Sequence, residues 1–335
     1  MPLTLTVDGP RWRAHLRSYL DAHPGLVPVA KGNGYGFTIG RLARKTGWLG
    51  CDLLAVGTYD EVPEVLSRFH GDVLVLSPYR TFLPSVPDDP RVVHTVGRGD
   101  DLAALSARGD RPRVVLEGLT SMRRHGFTEG RLVQVAGAAG VRVEGLALHL
   151  PIGADVVQEV HDWLALELHQ TVFVSHLSDE QLRLLSTRHP GIRLRPRVGT
   201  ALWLGDRAAL RVTATVLDVH PVTRGQRAGY RWRRVPRDGH LVVVDGGTAH
   251  GVGLEAPTPA SSVRQRAVAL ARGGLDAAGL ALSPYTIAGK QRWFLEPPHM
   301  QSSMLFLPAA VPPPDIGEEI PVDVRFTTSR FDRIV

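Results

Sequence analysis

At 335 residues, with 43% hydrophobic and 21% charged side chains, the chain is long enough for one large domain or two ordinary ones and reads as a soluble globular protein. No apolar run reaches the ~18 residues that cross a bilayer, and a single cysteine, Cys51, excludes an internal disulfide framework and fits a reducing cytoplasm. The formal net charge of +6 is scattered, with loose clusters at 193–197 and 231–237 and no continuous basic face, which argues against nucleic-acid binding.

The N-terminus alternates like a strand over residues 2–7 and has no basic leader, so no signal peptide is expected. Eight short strands are then predicted: Val27–Lys31, Leu53–Val56, Val73–Leu76, Val92–Val96, Arg113–Glu117, Val143–His149, Val172–Ser175 and Ile192–Arg197. Helical periodicity occupies Ile39–Leu49, Tyr59–Phe69, Asp101–Arg108, Glu129–Ala138, Asp155–Leu166 and Asp179–Arg188. This alternation is the count of a closed (β/α)8 TIM-type barrel; a doubly wound sheet is the alternative and usually has fewer strands. Beyond about residue 205 the pattern turns β-rich, with strands at Val212–Val219, Leu241–Val244, Met304–Leu307 and Ile320–Phe326, and one helical stretch at Ser261–Arg272. The expected division is a barrel over 10–205 and a β-barrel-like domain over 206–335 joined by residues 1–9.

The chain holds three lysines, at positions 31, 45 and 290, against thirty-six arginines. Lys31 ends the first predicted strand and opens Gly32-Asn33-Gly34-Tyr35-Gly36. A charged amine closing a buried strand is costly unless paired or deprotonated, and a lowered pKa would make it a nucleophile able to form a Schiff base. A rim lysine salt-bridged to a carboxylate is the plainer alternative. Lys45 lies in a helical stretch and Lys290 in a turn-rich one, so neither competes.

Reactive groups of such barrels gather at the C-terminal strand ends. The fifth strand supplies Glu117, which needs a cationic partner, with Arg124 a candidate. The sixth ends in His149, of either structural or functional use. The seventh ends in Ser175, and the eighth in Arg197, Gly199 and Thr200. Loops after strands seven and eight are the usual phosphate site. There Ser175, Gly199 and Thr200 offer a hydroxyl and open amides, with Tyr35 a further donor. Lysine, phosphate cradle and strand-end arginine together imply pyridoxal 5′-phosphate.

These segments resemble the alanine racemase family of fold-type III pyridoxal-phosphate enzymes. Lys31-x-Asn33-x-Tyr35-Gly36, Met122-x-Arg124-x-Gly126 and Arg197-x-Gly199 are similar to its motifs in order. Gly229-Tyr230 resembles the segment of its second catalytic residue, and Pro298-His299-Met300-Gln301 stands where the family has Cys-Met-Asp-Gln. The resemblance implies an amino-acid racemase, above all for alanine, supplying D-alanine for cell-wall synthesis. It implies that Lys31 holds the cofactor and serves one face of the substrate Cα, while Tyr230, from the partner of a head-to-tail homodimer, serves the other. It implies further that Arg197 bonds the pyridine nitrogen, that His149 lies near the ring, and that Arg124, helped by the backbone near Met300, orients the substrate carboxylate or the cofactor's phenolic oxygen. Glu117 supports Arg124 where the family often carries a carbamylated lysine.

The chain departs from the family at Phe37-Thr38, at Gln301, over Asp245–Gly251, where His250 is either an entrance residue or a structural one, and in stopping at Val335 without a late tyrosine. The expected consequence is a remodelled substrate entrance. The alternatives are a racemase for another amino acid, a decarboxylase or aldolase of the same fold type, whose carboxylate at position 197 is absent, and a non-catalytic cofactor-binding or regulatory protein.

Overall fold

The computed structural model describes residues 2–84, 86–254 and 281–335, and the chain divides into two compact units, Arg13–Gly205 and Met1–Trp12 with Asp206–Val335. The predicted helix at Ser261–Arg272 lies outside the described residues. Among the described residues no helix is long and apolar enough to cross a membrane.

After β1 (Thr4–Val7) and α1 (Gly9–Ala22), the first unit runs β2 (Val27–Pro28), α2 (Ile39–Trp48), β3 (Leu53–Val56), α3 (Val62–Leu66), β4 (Asp72–Val75), β5 (Val92–Val96) and α4 (Gly99–Ser106). It continues with β6 (Arg113–Gly118), α5 (Glu129–Val135), β7 (Arg142–Leu148), α6 (Val157–Ala165), β8 (Thr171–Val174), α7 (Asp179–Arg188), β9 (Arg193–Val198) and α8 (Thr200–Leu204). All eight predicted strands form, pairing in parallel from β3 through β9 to β2. A parallel bridge from Val29 to Ala55, with Ala30 N–H donating to the Ala55 carbonyl at 2.8 Å, brings β2 back to β3 and closes the ring. Alternate strand residues, among them Val29, Ala55, Leu74, Val93, Val115, Ala147 and Phe173, fill the interior. Their neighbours in sequence, such as Val114, Leu116, Leu146 and Val172, pack outward with Leu105, Trp163 and Leu185 of the helices. Burial on both faces is why these strands read as continuous apolar runs.

Two differences from the expected elements have local causes. The Tyr59–Phe69 stretch forms as a 3-10 turn, Tyr59–Glu61, leading into α3 with Pro63 in its first turn. Helix α1 was not anticipated, although its signal is present: Asp8 Oδ1 accepts the Arg11 N–H at 3.0 Å as a cap, Pro10 enters the first turn, and Trp12 and Leu16 are buried four residues apart.

The second unit adds β10 (Leu210–Val222), β11 (Arg227–Ala228), β12 (Arg233–Arg234), β13 (Gly239–Asp245), β14 (Leu282–Ile287), β15 (Lys290–Phe294), β16 (Ser302–Pro308), β17 (Glu319–Pro321) and β18 (Arg333–Ile334). Its main sheet runs β14-β15-β16-β13-β10-β1-β18, with β17 also on β10, and β11–β12 form a separate small hairpin. This is the expected β-rich domain. The predicted Ile320–Phe326 strand stops at Pro321, which lacks an N–H, and only Val322 extends it through a bridge to Tyr285. The β14–β15 hairpin was not anticipated. It turns on Ala288 and Gly289, both at positive φ (50° and 72°), the conformation two-residue hairpin loops require.

Candidate active site

The residues singled out from the first unit converge on the C-terminal mouth of the barrel. Alternation along β9 places Arg195 and Arg197 on the same, inward face. Arg195 closes the N-terminal end, giving Nε–H to the Gly25 carbonyl at 2.9 Å and its two terminal nitrogens to the Asp52 carboxylate. One pleat further on, Arg197 gives Nη2 to the Leu148 carbonyl at 2.9 Å, where β7 ends. Its Nε is buried and has no protein partner. Burial pushes the Arg197 guanidinium down to about 10, with Glu117 pulling it up and Arg124 pressing it lower.

Lys31 stands at the rim with solvent access, rather than as the buried amine expected from its strand. The regular ladder ends at Pro28, and Lys31 already belongs to the turn, its carbonyl accepting the Gly34 N–H at 3.0 Å. Its amine pKa is nevertheless lowered, first by partial desolvation and then by Arg124 and Arg197, against an upward pull from Glu61. Glu61 fastens this loop: one oxygen accepts the Gly32 N–H at 2.7 Å, and the other accepts Gly57 and Thr58 N–H. Gly34 sits at φ 62°, where a Cβ would meet the Ile39 nitrogen at 2.6 Å, so only glycine allows the turn that buries Tyr35. The Tyr35 hydroxyl lies over Gly199, where any Cβ would overlap it. Burial, helped by Glu61, pushes Tyr35 up to about 12, so the phenol keeps its proton and remains a donor.

Gly199 and Thr200 open α8, and the first i→i−4 bond of this helix is Trp203 N–H to the Gly199 carbonyl at 3.0 Å. The preceding amides therefore have no partner within the helix. The buried Trp203 ring gives Nε1–H to the Val29 carbonyl at 2.7 Å, pinning α8 to the strand that leads to Lys31. Ser175 Oγ accepts the Leu150 N–H at 3.2 Å and lies 2.9 Å from His149 Nδ1. Desolvation, with Arg197, Arg124, His176 and Lys31 nearby, pushes His149 down to about 3, leaving it neutral.

Glu117 is 2% exposed, and its Oε2 has no hydrogen-bond partner. Burial pushes its carboxyl up, opposed most by Arg197, then by Arg124 and Arg80. Arg197 thus outweighs Arg124, the partner expected from the sequence. Arg124 itself is exposed, on a turn that leaves β6 and returns to it through Phe127 N–H to the Glu117 carbonyl at 2.8 Å.

In the β-rich unit, Tyr230 and Met300 are 88% and 71% exposed and share a cavity of about 580 Å³ with Arg231, Glu296, His299 and Gln301. Glu296, absent from the sequence-based candidates, is 3% exposed and accepts the N–H groups of both Tyr230 and Arg231. His250 is buried and structural: Nδ1 accepts the Gly247 N–H, and Nε2 bonds to Asp332, which also accepts the Leu3 N–H.

The mouth suits the cofactor implied by the sequence. The orphaned Arg197 Nε–H fits an acceptor nitrogen, and the Tyr35 and Ser175 hydroxyls with the first amides of α8 fit a phosphate.

Comparison with known proteins identifies the family and the fold. The family model for the N-terminal domain of alanine racemase matches residues 11–184. No curated protein matches the chain. Among solved structures, alanine racemase from Bartonella henselae with covalently bound pyridoxal phosphate superposes with a TM-score of 0.69 at 15% identity, covering 97% of this chain and 91% of that one. Biosynthetic alanine racemase from Pseudomonas aeruginosa gives 0.66 at 17% identity, covering 97% and 91%. Alanine racemase from E. faecalis gives 0.66 at 19%, covering 96% and 88%. At these identities the likeness is one of fold.

Proposed function

The chain belongs to the alanine racemase family, and from that premise we propose that it is a pyridoxal-phosphate-dependent amino-acid racemase. Alanine is its proposed substrate, with Lys31 and Tyr230 as bases on opposite faces of the substrate Cα. The observation that carries the proposal is the Arg197 Nε–H, a buried donor left without a protein partner at the mouth where Lys31 stands. A buried donor without an acceptor costs about 1–3 kcal/mol, so its retention calls for a ligand acceptor there.

Pyridoxal phosphate, when bound, supplies the electron withdrawal that acidifies the substrate Cα–H. Lys31 Nζ would hold it, Arg197 would meet its ring nitrogen, and Tyr35, Ser175, Gly199 and Thr200 would receive its phosphate. An arginine in that place donates and keeps its own proton, so the ring nitrogen stays unprotonated and the withdrawal is restrained. That favours racemisation over transamination, and the absence of a carboxylate at position 197 sets the chain apart from the decarboxylase branch.

The lowered pKa of Lys31 brings its amine closer to the neutral, proton-accepting form at working pH. His149, held neutral, adds no further positive charge beside it. Arg124, exposed at the same mouth, is the group for the substrate carboxylate. Tyr230, from the partner subunit of a head-to-tail homodimer, would serve the second face. Two bases are what inversion needs, because a single base tends to return the proton to the face it left. The proposed setting is a reducing cytoplasm, where D-alanine feeds cell-wall synthesis.

The test is direct. The purified protein should carry, or take up, the visible absorption of lysine-bound pyridoxal phosphate, and Lys31→Ala should abolish it. A panel of L-amino acids followed by NMR in deuterated water then identifies the substrate. Failure of the protein to bind the cofactor under reconstitution, or persistence of the colour in Lys31→Ala, defeats the reading.

A further inference from the structure

We propose that Glu296 and His299 position Tyr230, the carboxylate by fixing the backbone of its turn and the imidazole by fixing its ring. The inference rests on the reading of Tyr230 as the second base and extends it to the residues that aim the phenol.

Tyr230 presents an aromatic ring that is 88% exposed, carried on the turn between two strands of only two residues each. Little in that hairpin alone would hold the ring in one place. Glu296 supplies what the hairpin lacks, from 66 residues away in sequence. Its Oε1 accepts the Tyr230 N–H and its Oε2 accepts the Arg231 N–H, both at 3.0 Å, so the two amides flanking the Tyr230 Cα are tied to one buried carboxylate. Gly229 precedes them at φ 78°, and any Cβ there would overlap that carboxylate. The close approach therefore requires glycine at this position.

His299 completes the arrangement. Its Nε2 donates to Glu296 Oε1 at 2.6 Å, and its ring lies against the Tyr230 ring with centroids 4.4 Å apart. The imidazole is anchored in turn by its own backbone, which donates to the Ser302 carbonyl at 2.9 Å and accepts the Thr248 N–H at 2.8 Å. Burial alone would push the Glu296 carboxyl up, but the bonds from Arg231, His299 and Tyr230 outweigh it and hold the group below its ordinary value. The carboxylate is thus charged at neutral pH and accepts three hydrogen bonds. Glu296 and His299 thus reach Tyr230 through both its backbone and the face of its ring. Displacing a reacting group by about 1 Å costs on the order of 10²-fold in rate, so this clamp has a catalytic consequence.

The experiment uses full-length protein loaded with pyridoxal phosphate and the variants Glu296→Gln, His299→Phe and His299→Ala. Tyr230 ring signals, assigned in 13C-tyrosine-labelled protein by comparison with Tyr230→Phe, should shift and broaden in Glu296→Gln and His299→Ala. His299→Phe, which keeps the ring contact, should retain more of the wild-type shift. Exchange of solvent deuterium into the substrate Cα is then followed from each enantiomer separately. Misplacing Tyr230 should slow exchange from one enantiomer by about 10- to 100-fold and leave the other within about twofold, since Lys31 serves that face. Equal loss from both enantiomers, or unchanged Tyr230 signals in Glu296→Gln and His299→Ala, would overturn the proposal. If the signals move as expected while the wild type exchanges neither enantiomer, the positioning stands and the racemase reading falls.

Discussion

Lowering the pH should destabilise this protein through His149 before most carboxylates titrate. His149 is half-buried, and desolvation together with Arg197, Arg124, His176 and Lys31 takes it from 6.5 down to about 3. A histidine whose folded pKa is depressed contributes stability that is complete above its unfolded pKa and is lost as the pH falls from there toward the folded value. Between about pH 7 and about pH 5 the unfolded chain takes up this proton and the folded chain does not, an effect of at most about 2 kcal/mol at 1.36 kcal/mol per pH unit. Partial solvent screening of a half-buried ring reduces this to about 1 kcal/mol. The measurement is urea denaturation at both pH values for the wild type and His149→Asn, each stripped of pyridoxal phosphate by dialysis. The wild type should lose about 1 kcal/mol more than the variant over this interval. Equal losses, or an NMR titration of the His149 ring with a midpoint near its ordinary value, would refute the reasoning.

Three further outcomes follow from the same geometry. Gly199→Ala should force Tyr35 out of place and cost about 1–3 kcal/mol in urea unfolding, with a smaller cost in a Tyr35→Ala background because the collision is already gone. Arg195→Met should lower Tm by removing the link to Gly25 and Asp52 while leaving pyridoxal-phosphate affinity within about twofold, whereas Arg197→Met should weaken that affinity by about tenfold or more in fluorescence titration. Glu61→Gln should cost about 2 kcal/mol, because a carboxamide cannot accept all three amide protons held by the carboxylate; faster hydrogen exchange at Gly32, Gly57 and Thr58 would report it directly.

Much of the barrel was legible because its strands are buried on both faces and so appear as uninterrupted apolar runs such as Leu53–Val56. The strand-end positions of Glu117, His149, Ser175 and Arg197 followed from those runs. Helix α1 and the Leu282–Phe294 hairpin were harder to see: one has a narrow apolar stripe of Trp12 and Leu16, and the other turns on Ala288, a residue that seldom takes positive φ. Glu296 carried no local signal: it is a carboxylate in a stretch of ordinary composition, and its use depends on a backbone amide 66 residues away. Glu61 has the capping-box spacing from Thr58, but its hold on Gly32 spans 29 residues.

By itself the sequence determined which residues end strands and which faces they share, because alternation along a strand is a local property of the backbone. It also marked Lys31, through the glycines that follow it. The tertiary structure alone decided what those groups are chemically. Arg195 and Arg197 share a face of β9, yet one closes the N-terminal end with Asp52 and the other keeps a free buried donor at the opposite mouth. Lys31 is lowered, His149 is neutral and Glu117 answers chiefly to Arg197 because desolvation and Coulomb forces depend on distances through space. Those distances are fixed when the ring of strands closes.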